Sequence, residues 1–388
     1  MGKKGPKVKP GLSSFTTHPQ DLKEYIKPLF VEAQSLIPES EWAETPVYIK
    51  ATAGMRLVTE EQGRVIYDTV HAYLSSTPDV CPFSVSRTNM QTIDGVQEGY
   101  FGALSANFLA GIIDKDRGLL HPQGSSAGGG VLGALDLGGS STQVSIYEAA
   151  NTATISASSS SSGTAAPPGV EKQDFKVHSY LGFGVEKMAE KYAAFLSSKG
   201  AKEDPCLPPS YTDAATGAVG TGSYAACKET VAEALGVAKP CVDGGGGRCQ
   251  MDGVRLPAVG PDDKFLAMSV YYFALRSVLV TLGKEGGSLG KEKKVMSWPS
   301  PSLAELAAAG EQFCGIPWPK LEALVKDDSL GWEEFMGDAA QRAEEITQRC
   351  RQAAYIDMLL GKVYGIPEDK HNVMVRKGLS PTDRHRLL

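Results

Sequence analysis

Val131-Leu132-Gly133-Ala134-Leu135-Asp136-Leu137-Gly138-Gly139-Ser140-Ser141-Thr142-Gln143 is the stretch whose reading decides the fold. Val131 to Leu137 is almost continuously apolar, the pattern of a strand buried on both faces. Alternation resumes over Gln143, Val144, Ser145, Ile146 and Tyr147, so two strands flank a Gly-rich turn. Asp136 sits at the end of the first strand, before two glycines, three hydroxyls and an amide. Glycines let backbone N–H groups approach an anion closely, and a carboxylate beside them can hold a hydrated divalent cation that neutralises phosphate charge. A plain Gly-Ser hairpin with an Asp capping the turn uses the same residues. The segment alone leaves both readings open.

Working outward, Val47–Lys50 reads as a short strand, followed by the small-residue loop Ala51-Thr52-Ala53-Gly54-Met55-Arg56. That loop either offers the Thr52 hydroxyl and its amides at a strand-end crevice or is a turn with Arg56 in solvent. Thr59 with Gln62 forms a capping box for a helix bearing Ile66, Val70, Tyr73 and Leu74. A second helix starts near Asp94 and runs to Leu109. It carries Glu98, which is either a base able to deprotonate water or an acid favoured by the helix dipole. The first 150 residues therefore read as α/β.

Ala149–Gly169 is dominated by Ser, Ala, Thr and Pro and reads as a loop insertion, as do Gly244–Gly247 and Gly283–Lys294. Phe265–Leu282 approaches membrane length but contains Arg276, so a buried helix is expected rather than a spanning one. Ser302 with Glu305 is another capping box, and Ala339–Gly361 reads as one long helix.

The totals set wider bounds. A chain of 388 residues, 42% hydrophobic with net charge -6, can bury a sizeable core in about two domains, and it has no Lys/Arg stripe for a nucleic-acid backbone. Seven cysteines lack zinc-ligand spacing, and six lie beyond residue 200, a pattern that favours disulfides over buried thiols while leaving their connectivity open. Met1–Pro10 is basic and lacks the apolar core of an export signal. Gly286–Glu292 lacks the spacing and hydroxyl of a P-loop, and Gly182-Phe183-Gly184 lacks the third glycine of a dinucleotide fingerprint.

Taken together, four segments in order resemble the apyrase conserved regions of the nucleoside triphosphate diphosphohydrolase family. They are Ala51–Arg56, Glu98-Gly99-Tyr100 with Asn107, Leu135–Gln143, and Ser179-Tyr180-Leu181-Gly182-Phe183-Gly184. Lys9–Ser13 and Tyr355–Leu360 match more weakly. The resemblance implies an α/β, actin-like (ribonuclease-H-like) two-lobed ATPase fold that removes terminal phosphates from nucleoside di- or triphosphates with Ca2+ or Mg2+. On that basis lobe one covers 1–135 and lacks its first phosphate-loop hairpin. Lobe two covers 136–365, with the Ser-rich loop 149–169, and 366–388 returns to lobe one or forms an irregular tail.

The resemblance also assigns roles. Glu98 would activate water, Ser140 would position it, and Thr52 would complete the water and metal environment. Asp136, Leu137, Gly138, Gly139 and Ser140 would bind nucleotide, with N–H donation from Gly138 and Gly139. Asp136 and Gln143 would hold the metal through its hydration shell. Cys314 with Cys350 is the implied bridge and Cys81 the unpaired thiol, in a secretory-pathway lumen, at the cell surface or outside the cell.

Two departures stand out: the family's Asp-Ala-Gly-Ser loop, expected before Lys9, and its Trp-containing segment after Val375 are absent. A chain truncated at both ends is the expectation, with any membrane attachment residing in the absent segments and activity reduced. An exopolyphosphatase-type phosphatase and a non-catalytic nucleotide-binding protein are the alternatives, the former disfavoured by Gln143, the Tyr-Leu-Gly-Phe-Gly segment and the late cysteines.

Overall fold

In the computed structural model the described residues are 8–114, 116, 118, 130–148, 170–237, 251–256, 259–285, 295–327, 332, 336 and 339–377. The chain divides into two compact units, Met1–Glu98 and Gly99–Leu388.

In the first unit, α1 (Leu22–Leu36) is followed by β1 (Ile49–Ala51), the short α2 (Ala53–Arg56), α3 (Glu60–Ser76), β2 (Met90–Thr92) and the first turn of α4 (Gly95–Leu109). The Thr59/Gln62 capping box opens α3 as expected. Leu22, Ile26, Phe30, Ile66, Val70, Leu74 and Met90 form the core of this unit, which also buries the unpaired Cys81. β1 and β2 pair in parallel, Ala51 opposite Thr92, so α2 and α4 leave from the same end of the pair.

The second unit holds the rest of α4, β3 (Gly133–Leu137), β4 (Ser141–Tyr147), β5 (Phe175–Leu181), α5 (Val185–Ser198), β6 (Glu203–Asp204), β7 (Val219–Gly220), α6 (Tyr224–Ala234), β8 (Phe265–Ser269), α7 (Val270–Glu285), α8 (Leu303–Cys314), α9 (Trp318–Val325), α10 (Ala339–Ile346), α11 (Arg349–Met358) and β9 (Val373–Val375). Its five-stranded sheet runs β5-β4-β3-β8-β9, with β3 central, antiparallel to β4 and parallel to β8. The apolar run before Asp136 is explained by this position. Leu135 and Leu137 enter the main core, while Ala134 faces the opposite side with Tyr100, Ala103 and Ala106 of α4. A strand covered on both faces leaves no room for polar alternation.

Four expectations need correction. The unit boundary falls after Glu98 and not at 135, because α4 and β3 share one core beyond that point. Residues 373–375 are an edge strand of this same sheet, paired with β8 through Phe265↔Val373, and not a return to lobe one. The apolar tract 265–282 is a strand followed at once by a helix: parallel pairing on both sides takes Phe265–Ser269, and Ser269 turns the chain with φ 61°. The expected long helix 339–361 is broken into α10, α11 and a wider turn over Leu359–Val363.

The Ser302/Glu305 capping box of α8 forms as expected. Disulfides join Cys314 to Cys350, as the resemblance implied, and Cys206 to Cys227. The loop expectations at 149–169 and 244–247, and Cys241 and Cys249, lie outside the described residues; Gly283, expected to begin a loop, lies within α7. Among the described residues no helix is long and apolar enough to cross a membrane.

Asn107 fastens α4 to the central strand. Its amide nitrogen donates to the carbonyls of Ala103 (2.8 Å) and Leu132 (2.9 Å), and its carbonyl accepts the Leu132 N–H (2.8 Å). Replacing Asn107 by Leu strands two backbone groups of Leu132 in a buried setting. Chemical denaturation of Asn107→Leu should show a loss of about 2–4 kcal/mol; an unchanged midpoint would show that this clamp is dispensable.

Candidate functional site

The turn after β3 is built by the segment that follows β5. Gly138 N–H donates to the Ser141 carbonyl (3.0 Å) and closes the turn. The carbonyls then point to α5: Val185 N–H donates to Gly138 O (2.9 Å) and Glu186 N–H to Gly139 O (2.9 Å), while Gly182 N–H donates to Ser140 O (2.8 Å). These bonds satisfy amides that the first turn of a helix otherwise leaves without partners. In a trans peptide the carbonyl and the next N–H point in opposite directions. Fixing the carbonyls of Gly138 and Gly139 on α5 therefore aims the N–H groups of Gly139 and Ser140 away from it. The N–H of Gly138, an expected phosphate donor, is used inside the turn.

Glycine is required where this segment meets the turn. A Cβ on Gly184 would lie 2.3 Å from the Gly139 carbonyl and 2.4 Å from Ser140 N. The Tyr-Leu-Gly-Phe-Gly motif is thus the backing of the Gly138–Ser141 turn. Behind it, Tyr355 of α11 donates its hydroxyl to the Phe183 carbonyl, which explains the match at Tyr355–Leu360.

Asp136 stands opposite Gln143 in register. Its Oδ1 is buried and has no hydrogen-bond partner. Burial pushes the carboxyl up from its ordinary range, and the Ser269 hydroxyl and Leu137 N–H act in the other direction. An enclosed carboxylate oxygen lacking a donor is what a divalent cation or its water would satisfy, so the residue fits the expected metal. Thr142 Oγ1 donates to the Asp136 carbonyl (2.8 Å) and lies 3.1 Å from the Tyr364 hydroxyl, which pins the strand end from below. Leu137, expected among the nucleotide-binding residues, is fully buried in the core; strand alternation turns its side chain away from the Asp136 face.

Ser141, Gln143 and Ser145 share one face of β4, the face on which Gly99 of α4 packs. A Cβ at Gly99 would stand 2.5 Å from Val177 Cγ1 and 3.1 Å from Ser145 Oγ, and Ser145 Oγ donates to the Gly99 carbonyl at 2.8 Å. Gln143 Nε2 donates to Ser141 Oγ (2.6 Å) and Ser179 Oγ (2.8 Å). The hydroxyl on the same strand that Gln143 bonds is that of Ser141. Ser141 and Ser179 lie within the motifs but have no role implied by the resemblance, although period-two alternation from Gln143 places Ser141 on its face.

In the first unit, Thr52 precedes α2 at the end of β1, and Arg56 at the end of α2 reaches α4. Arg56 Nη2 bonds Glu98 Oε2 at 2.6 Å, with the two side chains 13% and 16% exposed. The solvated reading of Arg56 is thereby excluded. A Cβ at Gly54 would meet Ser13 Oγ at 2.7 Å, so the Lys9–Ser13 segment packs directly on this loop. Glu98 and Gly99 are successive residues of α4.

The family model for GDA1/CD39 (nucleoside phosphatase) matches residues 3–381. Golgi apyrase of Saccharomyces cerevisiae is 30% identical over 364 residues, covering 86% of this chain and 53% of that protein. Nucleoside-diphosphatase mig-23 of Caenorhabditis elegans is 25% identical over 389 residues, covering 94% of this chain and 65% of its own length. The chain thus spans a little over half to about two thirds of these relatives. Among solved structures, a nucleoside triphosphate hydrolase from Neospora caninum superposes with a TM-score of 0.56 at 14% identity, covering 95% of this chain and 74% of that one, which supports the actin-like two-lobed fold. The chain belongs to the GDA1/CD39 (nucleoside phosphatase) family.

Proposed function

We propose that the chain carries the phosphate-binding half of an apyrase-type hydrolase that removes the terminal phosphate of nucleoside di- or triphosphates. The observation behind this reading is the turn at Gly138–Ser141, whose Gly138 and Gly139 carbonyls are tied to α5 and whose Gly139 and Ser140 N–H groups are turned outward, at the end of the strand that carries the enclosed Oδ1 of Asp136. Such fixed donors stabilise charge on phosphate oxygens without reorganising as the reaction proceeds.

Glu98 is the proposed base. As a water oxygen attacks the terminal phosphorus, Glu98 accepts its proton, and the bond from phosphorus to the bridging oxygen breaks with its electron pair leaving on the nucleotide. Arg56 holds the carboxylate in place by the 2.6 Å ion pair. Ser141 takes the water-positioning role expected of Ser140, and Thr52 supplies a further hydroxyl. Bound Ca2+ or Mg2+ would offset negative charge on the phosphates. Among the described residues no three His, Cys, Asp or Glu side chains gather at one point. Asp136 and Gln143 would hold the ion through its water, which matches the habit of Mg2+ to keep its waters.

The relatives named Golgi apyrase and nucleoside-diphosphatase support a nucleotide substrate and a secretory compartment. Two buried disulfides agree with an oxidising compartment. Phosphate release from ATP, ADP, UDP and polyphosphate with Ca2+ or Mg2+ tests the reading. Release from nucleotides is expected, and release from polyphosphate alone would transfer the chain to the exopolyphosphatase class. Nucleotide binding without release would favour the non-catalytic alternative.

Three variants make the mechanism specific. Glu98→Gln should lower kcat by roughly 10²–10⁴ with little change in KM, as loss of a general base does. Arg56→Ala should lower kcat by about 100-fold through misplacement of Glu98, and stopped-flow chemistry at wild-type rates would remove Arg56 from the mechanism. For Gly184→Ala, the added methyl must displace the Gly139–Ser140 peptide, so nucleotide KM should rise at least about tenfold; an unchanged KM would show that this backing is not what shapes the turn.

A further inference from the structure

Ser269 ends β8 in the left-handed region of the backbone, with φ 61°. A glycine adopts that conformation freely, whereas the Cβ of a serine crowds the following carbonyl oxygen and strains the chain. Among the described residues two other non-glycine positions share the region, Ser210 at φ 70° and Asp252 at φ 54°. Ser210 lies between β6 and β7, and Asp252 in the turn that closes the Met251–Val254 bridge. Of the three, Ser269 is the one that ends a strand of the sheet carrying Asp136. Strain retained where glycine would fit points to a use for the side chain.

The strand pairing shows what that use is. β8 runs parallel to β3, with Met268 opposite Asp136 and Ser269 opposite Leu137. Regular alternation would put Met268 on the Asp136 face and turn Ser269 to the core side with Leu137. The Ser269 hydroxyl is nevertheless beside the Asp136 carboxyl, where it favours the charged form. The left-handed bend breaks the alternation and brings the hydroxyl round. Chemistry sets the direction of the contact: an ionised carboxylate only accepts, so the hydroxyl donates. Oδ1 of the same carboxyl keeps no hydrogen-bond partner. The contact lies at the carboxyl ends of two parallel strands, where open α/β sheets bind their ligands.

We propose that Ser269 is a positioning residue: held in a left-handed bend at the end of β8, its hydroxyl donates to the Asp136 carboxylate and orients it toward the water shell of the nucleotide-bound divalent cation. Ser269 acts through Asp136. This inference rests on the reading given under Proposed function.

The test is binding of the Mn2+ complex of an imidodiphosphate analogue of ADP to the full chain, followed by electron paramagnetic resonance without turnover. Ser269→Gly removes the hydroxyl and relieves the backbone. It should weaken binding about tenfold, in the range for partners that orient metal-site ligands, while the melting temperature stays at or above the wild-type value. That split separates the roles, because a merely structural serine at φ 61° would lose nothing on becoming glycine. In an Asp136→Asn background, Ser269→Gly should cost nothing further, since residues acting through one another are non-additive.

Wild-type affinity in Ser269→Gly, a weakened affinity that comes with a lowered melting temperature, or an additive loss in the double variant would each overturn the proposal while leaving the metal site standing. Should Ser269→Gly not fold, Ser269→Asn decides, because asparagine keeps a donor and tolerates the left-handed region. Affinity at the wild-type level then supports the proposal, and a loss of about tenfold overturns it. If the wild-type chain binds no Mn2+ complex, or Asp136→Asn binds it as the wild type does, the reading under Proposed function fails and this inference fails with it.

Discussion

The carbonyls of Gly138 and Gly139 accept hydrogen bonds from the first amides of α5, and much of the second unit is arranged around that constraint. One set of bonds does two things. It satisfies the open end of a helix and it turns two peptide N–H groups outward, because the two ends of a planar trans peptide face opposite ways. A hairpin with the same residues but no helix behind it would leave those peptides free to rotate. Gly184 is small for the same reason: α5 can supply its amides only if its leading residue lies against the Gly139–Ser140 peptide.

The sheet supplies the rest of the site by register. Asp136, Gln143 and Ser179 are neighbours across β3, β4 and β5, a consequence of pairing that places polar groups far apart in the chain in one row. Burying such a row is costly unless each group is paired. Gln143 has its serines and Ser145 has the Gly99 carbonyl, whereas Asp136 keeps one oxygen without a donor. The group left unsatisfied lies on the strand that leads straight into that turn, two residues before Gly138, and this pairing underlies the proposed function.

The remaining structure holds this arrangement still. Tyr364 and Tyr355 brace the turn and its backing segment from beneath. Tyr224 and Lys228 of α6 bond the buried Asp357 of α11 at 2.8 and 2.7 Å, and the Cys314–Cys350 disulfide joins α8 to α11. Asn107 ties α4 to the start of the central strand. In the first unit, parallel pairing of β1 with β2 sends α2 and α4 off from one end of the pair, which is why Arg56 can reach Glu98.

By itself the sequence determined the features that local chemistry controls: the doubly buried strand before Asp136, the Gly-rich turn, the capping boxes at Thr59 and Ser302, and an α/β architecture. The motif order pointed to Asp136, Gln143 and Glu98 as candidates, and the family resemblance implied Cys314 with Cys350 as a pair. Only the tertiary structure decided which peptide N–H groups are available, Gly139 and Ser140 and not Gly138, since that depends on where α5 lies. It also decided that Leu137 belongs to the core, that Ser141 and Ser179 flank Gln143, that Phe265–Ser269 is a strand, and that Arg56 is paired rather than solvated. Each of these follows from partners distant in sequence, brought alongside by strand register and helix packing, and a pattern of nearby residues holds no record of them.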